Sequence, residues 1–308
     1  MGKAGRFRVY AWSVLAWNVA VVLWGAFVRA TGSGAGCGNH WPLCNGEVTP
    51  HSPGVATVIE FTHRVTSGLD LALVALLVVW AFRAFPRGQA VRRWAALSGV
   101  FLVSEALLGA ALVLWRQVGQ NTSVTRAYML SAHLVNTLAL LACLTMTAHV
   151  AHGTMASRIR LRWRTAWMAA ASLAAFAALG VSGAIAALGD TLFPARSLAA
   201  GLAQDLNPAA AVFVRLRVFH PLIAAATGAW LLYFAVTSAA ARPAARSRAW
   251  TVAGLVFLQF LLGIVNIALL APVWMQLVHL MVVDLLWISL VLLAAAMMAA
   301  EYKAAPTL

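Results

Sequence analysis

Val55-Ala-Thr-Val-Ile-Glu60-Phe-Thr-His63-Arg64-Val-Thr-Ser-Gly-Leu-Asp-Leu-Ala-Leu-Val-Ala-Leu-Leu-Val-Val-Trp-Ala-Phe82 is apolar along most of its length. At 1.5 Å of rise per residue, a helix of this length crosses the roughly 30 Å hydrocarbon layer of a bilayer. Near its start stand Glu60 and His63, three residues apart, so both point to one helix face about a turn apart. Ionisable groups held at that depth are costly and mark a functional site by default.

The rest of the chain repeats this pattern. Its 308 residues are 63% hydrophobic with a mean hydropathy of +0.85, far outside the range of soluble domains. Spans are expected at about Val9 to Val28, Val55 to Phe82, Trp94 to Trp115, Ala127 to Val150, Thr165 to Leu188, Ala209 to Ser238, Trp250 to Leu270 and Val273 to Ala300. The fold class is therefore an all-α integral membrane protein of eight transmembrane helices. A formal charge of +14 could point to nucleic acid, but the basic residues form short runs between apolar segments rather than one patch, which excludes that partner.

Those short runs set the orientation, because cytoplasmic loops retain Lys and Arg. One side collects Lys3, Arg6 and Arg8; Arg83, Arg87, Arg92 and Arg93; Arg158, Arg160, Arg162 and Arg164; Arg242, Arg246 and Arg248; and Lys303. The other has Arg29, Arg116, Arg126 and Arg196. Both termini are expected in the cytoplasm of a cell whose inner or plasma membrane holds the chain. The first apolar run is expected to stay as a span, since removing it as a signal peptide would spoil this alternation.

The chain also repeats itself. Leu107-Leu-Gly-Ala110 recurs as Leu261-Leu-Gly-Ile264, His133-Leu134 as His279-Leu280, and His63 matches His220. Two similar four-helix halves follow, 1–153 and 154–308, in parallel orientation because an even number of spans separates them.

Four histidines thus occupy equivalent places. His63, His133, His220 and His279 each fall 5 to 11 residues inside the external end of a span, a depth of about 8 to 17 Å. Paired histidines on facing helices are a common way to hold haem iron from both sides; the competing reading is four hydrogen-bonded packing residues. Zinc is disfavoured, because these helices are expected to bring no carboxylate or thiolate to complete a tetrahedral set. His40, His51, His149 and His152 read as ordinary surface or span-end residues.

The first external loop, Arg29-Ala-Thr-Gly-Ser-Gly-Ala-Gly-Cys37-Gly-Asn-His-Trp41-Pro42-Leu43-Cys44, combines turn-forming glycines with two cysteines seven apart. On the oxidising side a disulfide is expected to form and to persist, either as a staple or as a redox pair. Cys143 reads as a small core residue. Arg64, Arg215 and Arg217 stand near histidines at the outer face, where guanidinium groups suit the propionates of a haem, or simply snorkel to the surface.

Gly-Ser-Gly-Ala-Gly-Cys37 with Trp41-Pro42-Leu43-Cys44, then Ile59-Glu60-Phe-Thr-His63-Arg64, then one histidine in each later even-numbered span, resembles the haem A synthase family over nearly the whole chain. The resemblance implies an eight-helix bundle of two halves that oxidises a methyl group of haem O to the formyl group of haem A, the cofactor of terminal oxidases. It implies that His63 and His133 flank the substrate haem and that His220 and His279 ligate a resident haem b. Glu60 would be the acid or base, and Cys37 and Cys44 match the loop cysteine pair of the two-cysteine members. Arg217 stands where the first half has Glu60, and the 189–208 loop has no cysteines, so the catalytic half is expected to be the first. Haem O synthase and terminal oxidase assembly factors are the implied partners beside membrane lipid; a homo-oligomer is compatible with the sequence. Two other readings are a di-haem b-type cytochrome relaying electrons, which leaves Glu60 without a task, and a haem-binding or export protein.

Overall fold

The computed structural model describes residues 2–151 and 163–299. His152, Arg158, Arg160 and Arg162 of the expected link between halves, and Lys303, lie outside the described residues. The described helices are α1 (Lys3–Ala30), α2 (Val55–Ala84), α3 (Ala90–Leu114), α4 (Val124–Val150), α5 (Trp163–Leu192), α6 (Leu198–Leu206), α7 (Val212–Arg217), α8 (Phe219–Ala241), α9 (Arg246–Ala268) and α10 (Val273–Met298). Eight segments are long and apolar enough to cross a membrane, α7 and α8 counting as one. Most overrun the expected spans by several residues. Hydropathy marks the hydrocarbon layer, whereas backbone hydrogen bonding carries the helix on into its polar flanks.

Two departures come from local chemistry. The sixth span breaks at Val218, between α7 and α8. Pro221 has no N–H to give the Arg217 carbonyl four residues earlier, so the ladder opens there. The expected loop at 189–208 is partly helical: α5 runs on to Leu192, and α6 starts where the Ser197 hydroxyl accepts from the Ala200 N–H. Leu198, Leu202 and Leu206 form an exposed stripe along α6, the pattern of a helix lying in a membrane interface.

α4 and α10 are the most buried spans and form the centre of the bundle. They meet α1 and α5, while α2 and α3 pack beside α1 and α4, and α8 and α9 beside α5 and α10. Leu138, Leu141 and Leu144 from α4, Phe176 from α5, Leu231 and Phe234 from α8, and Leu290 and Leu293 from α10 share one core. Trp287 ties its centre: the ring packs on Phe176 with centroids 5.2 Å apart, and its Nε1–H donates to the Leu138 carbonyl at 2.8 Å. Outward faces such as Val100, Val103 and Leu107 on α3, or Phe257, Leu261 and Ile264 on α9, are apolar and exposed, as lipid contact requires.

Candidate functional site

The four histidines project from α2, α4, α8 and α10, in two pairs. Of the other three histidines, His133 is the one that acts on His63, and His220 the one that acts on His279. Each ring lies against a glycine of a neighbouring helix. A Cβ placed on Gly25 of α1 would come 3.0 Å from His63 Cε1, and one on Gly183 of α5 would come 3.0 Å from His220 Cε1. On Gly109 of α3 the distance to His133 Cε1 would be 3.9 Å, and on Gly263 of α9 it would be 3.5 Å from His279 Cε1. Gly25 and Gly183 belong to the first span of each expected half; Gly109 and Gly263 belong to the third.

The ring nitrogens are sparsely satisfied. Nδ1 of His63, His133 and His279 is buried without a hydrogen-bond partner among the described residues. His220 Nδ1 meets the Ser182 hydroxyl at 2.9 Å, which leaves Nε2 for another partner. His279 Nε2 lies 2.9 Å from the Gln259 amide nitrogen, so with the amide placed this way Nε2 accepts from Gln259. Buried polar nitrogens without partners are expensive and call for an explanation. Among the described residues no three His, Cys, Asp or Glu side chains converge on one point, as a bare metal ion would need. Two imidazole pairs, each ring with room made by a missing Cβ, fit a planar macrocycle that takes one ligand from each side.

Glu60 is buried beneath the cysteine loop. Oε1 accepts from Arg64 Nε at 3.1 Å and Nη2 at 2.5 Å, while Oε2 accepts the Cys37 backbone N–H at 2.8 Å. Arg64 Nη1 also donates to the His40 and Leu43 carbonyls at 2.7 and 2.6 Å. The Cys37–Cys44 disulfide is formed, so the loop is closed on itself and fixed to α2 through this carboxylate and guanidinium. Gly36 lets the loop approach: a Cβ there would fall 2.4 Å from the Ala56 carbonyl. Thr57 Oγ1 donates to the Gly36 carbonyl at 2.8 Å. His51, in contrast, is an exposed partner of Glu47, whose carboxyl is held below the usual carboxylate range mainly by the His51 backbone N–H and then by its side chain.

Arg217 is engaged in the same way by different residues. Its guanidinium pairs with Asp190 at 3.1 Å and with Asp205, and Nη2 meets Gln204 at 3.2 Å, so α6 is fastened to the end of α7. Arg215 donates to the Pro208 carbonyl at 3.4 Å.

Glu105 was not singled out from the sequence. It stands on α3 with Oε1 3.7 Å from His133 Nδ1. Asn136 Nδ2 donates to it at 2.5 Å and the Thr137 hydroxyl also bonds it, so it holds the residues one turn beyond His133. Its signal was a lone carboxylate two residues before Leu107-Leu-Gly, and Gln259 occupies the matching place beside His279. Asp70 and Asp284 are further buried acids within spans; Asn18 Nδ2 donates to Asp70 at 2.6 Å.

A family model described as COX15-CtaA, cytochrome oxidase assembly protein, matches residues 8–291. The chain is 48% identical over 292 residues to a protoheme IX farnesyltransferase of Thermus thermophilus, an alignment covering 94% of this chain and 48% of that protein. It is 47% identical over 100 residues to the heme A synthase of Bacillus mycoides and 48% identical over 98 residues to that of Bacillus cereus, 32% of each chain in both cases. The chain thus spans about half the length of the Thermus relative.

Proposed function

This chain belongs to the COX15-CtaA family of cytochrome oxidase assembly proteins, and from that premise we propose that it is a haem A synthase, a membrane oxidoreductase that converts a methyl group of haem O to the formyl group of haem A. The observation that carries the proposal is the double histidine pair, each ring set against a glycine and three of the four rings with an unsatisfied buried nitrogen. The heme A synthases of two Bacillus species among its relatives support the same reading.

The two expected halves, 1–153 and 154–308, divide the work. His220 and His279 would hold a resident haem b, which supplies one-electron transfer when bound between two imidazoles. His63 and His133 would flank substrate haem O. With water as the oxygen source, turning a methyl into a formyl group releases four protons and four electrons; the electrons would pass to an external acceptor, and Glu60 is proposed to receive protons as acid or base, while Arg64 and the Cys37 N–H fix the direction its oxygens face. The closed loop above Glu60 keeps bulk water from that end. Arg64 and Arg217 lie at the end of the bundle where propionates of the two haems would emerge, each sharing its guanidinium with protein carboxylates. The positive-inside pattern supports cytoplasmic termini, and a relative named protoheme IX farnesyltransferase supports haem O synthase as the neighbouring activity.

The test is turnover. Purified protein in detergent, supplied with haem O and a chemical electron acceptor, should yield an oxidised haem by mass spectrometry. Recovery of haem O unchanged from protein that retains its haem b spectrum would favour the electron-relay reading instead.

A further inference from the structure

Two arginines at the disulfide end of the bundle differ from Arg64 and Arg217 in having no ion pair among the described residues. Arg29, in the last turn of α1, donates from Nη1 to the Ala187 carbonyl at 2.8 Å and to Thr191 Oγ1 at 3.0 Å, and from Nη2 to Gln276 Oε1 at 3.0 Å. Arg126, in the first turn of α4, is 3% exposed and donates from Nη1 to the Gly119 and Asn121 carbonyls, both at 2.8 Å. Its Nε is buried with no partner. Among the described residues every hydrogen-bond partner of both guanidinium groups is neutral.

The groups are neighbours. The turn that follows Arg29 packs on the segment that Arg126 holds: a Cβ on Gly34 would lie 3.3 Å from Val118 Cβ, and one on Gly119 would lie 3.3 Å from Ala35 Cβ. They are near enough to repel each other, and Asp190, the acidic charge that Arg29 also feels, is already bound to Arg217. Two like charges gathered at a buried seam, one of them with an N–H left unsatisfied, are unfavourable unless an anion joins them.

Helix register says which anion. Arg29 is one turn beyond Gly25, the residue pressed against the His63 ring, and Arg126 is two turns before His133. Both therefore stand on the disulfide-end side of the first histidine pair, about 6 Å and about 10 Å along their axes from it; Arg29 also borders the second pair, since Ala187 is one turn beyond Gly183 and Gln276 is three residues before His279, so it is Arg126 that assigns the site to the first. We propose that Arg29 and Arg126 form a carboxylate-binding site at the seam of α1, α4, α5 and α10, and that it takes the propionate groups of the haem held by His63 and His133. The proposal rests on the haem reading above. The planar fork of arginine suits a carboxylate, and the neutral bonds from Ala187, Thr191 and Gln276 hold the Arg29 fork in place before the ligand arrives. The anionic headgroup of a phospholipid offers the same oxygens and is the competing source.

The probe is haem b and its dimethyl ester, identical except that the carboxylates are masked. Both are titrated into haem-depleted protein in neutral detergent, with His63→Ala marking the part of the spectrum that belongs to the first pair. Wild type should bind haem b at least about tenfold more tightly than the ester at that pair, and Arg29→Gln and Arg126→Gln should abolish the difference while still binding the ester. Equal binding of the two compounds by wild type needs no variant to fold, and it would overturn the site while leaving the haem reading intact. A preference that survives in both variants would also overturn it. If anionic phospholipid, but not phosphatidylcholine, erases the wild-type preference, the arginines serve a lipid headgroup and the proposal falls. Failure of wild type to bind either compound would remove the functional reading itself, and this site with it.

Discussion

At the scale of single residues, the most informative atoms are ones that are missing. Gly183 has no Cβ where one would sit 3.0 Å from His220, and Gly25 none where one would sit 3.0 Å from His63. Gly183→Ala should therefore displace the His220 ring and remove one low-spin haem signal from purified protein. Gly68→Ala, at a helical position with nothing within 4 Å, should leave the spectrum unchanged and stabilise α2 by up to about 1 kcal/mol. Haem content unaffected by Gly183→Ala would show that the ring has room to move and that the glycine is incidental. Glu60 is tested by a near-isosteric change. Glu60→Gln keeps an acceptor for either Arg64 or the Cys37 N–H and cannot exchange a proton, so haem loading at His63 and His133 should persist while conversion stops. Haem A yield equal to wild type would reduce Glu60 to the ion pair that fixes the loop. Glu60 and the four histidines could be picked out of the sequence because ionisable groups inside apolar runs are rare. Glu105 fits the same rule and was passed over, since its partner His133 lies on the next helix and only packing brings them to 3.7 Å.

Among the elements, the cysteine loop and the α6–α7 corner carry most of the structure that composition does not reveal. The loop has few apolar residues to bury, and its order comes from the disulfide, the Arg64 carbonyl contacts and the Glu60 bond to Cys37. Replacing Cys37 and Cys44 together with Ser should lower the stability of this loop by about 2 to 3 kcal/mol, read as faster amide exchange between residues 33 and 47 with the spans unaffected. Unchanged exchange would mean that the ion pair alone orders the loop. The corner at 189–208 looked like a plain loop because α6 is short and carries no long apolar run. Its formation depends on a cap at Ser197 and on Arg217 gathering Asp190 and Asp205, contacts that join residues far apart in the chain.

For the whole molecule, the number of spans and their approximate ends follow from hydropathy, because a bilayer forces every backbone polar group into a helix. The order in which the helices pack does not follow from it. α4 and α10 become the centre through contacts such as Trp287 with the Leu138 carbonyl, which no local pattern announces. Trp287→Phe should weaken that seam by about 1 kcal/mol, measured as a lower midpoint of thermal unfolding in detergent without loss of helix content. Orientation is separately accessible: single cysteines placed in a chain lacking its own three should be labelled from outside at Ser123 and protected at Gly88. The reverse pattern would invert the bundle and put the histidine layer nearer the cytoplasm. The central claim is that the chain makes haem A, and the most direct measurement is the mass of haem extracted from membranes of a host that makes haem O but no haem A, with and without this chain. Haem A should appear with the wild-type chain and be absent with Glu60→Gln; haem O and haem b alone, from membranes in which the wild-type protein is present and carries haem, would contradict the claim.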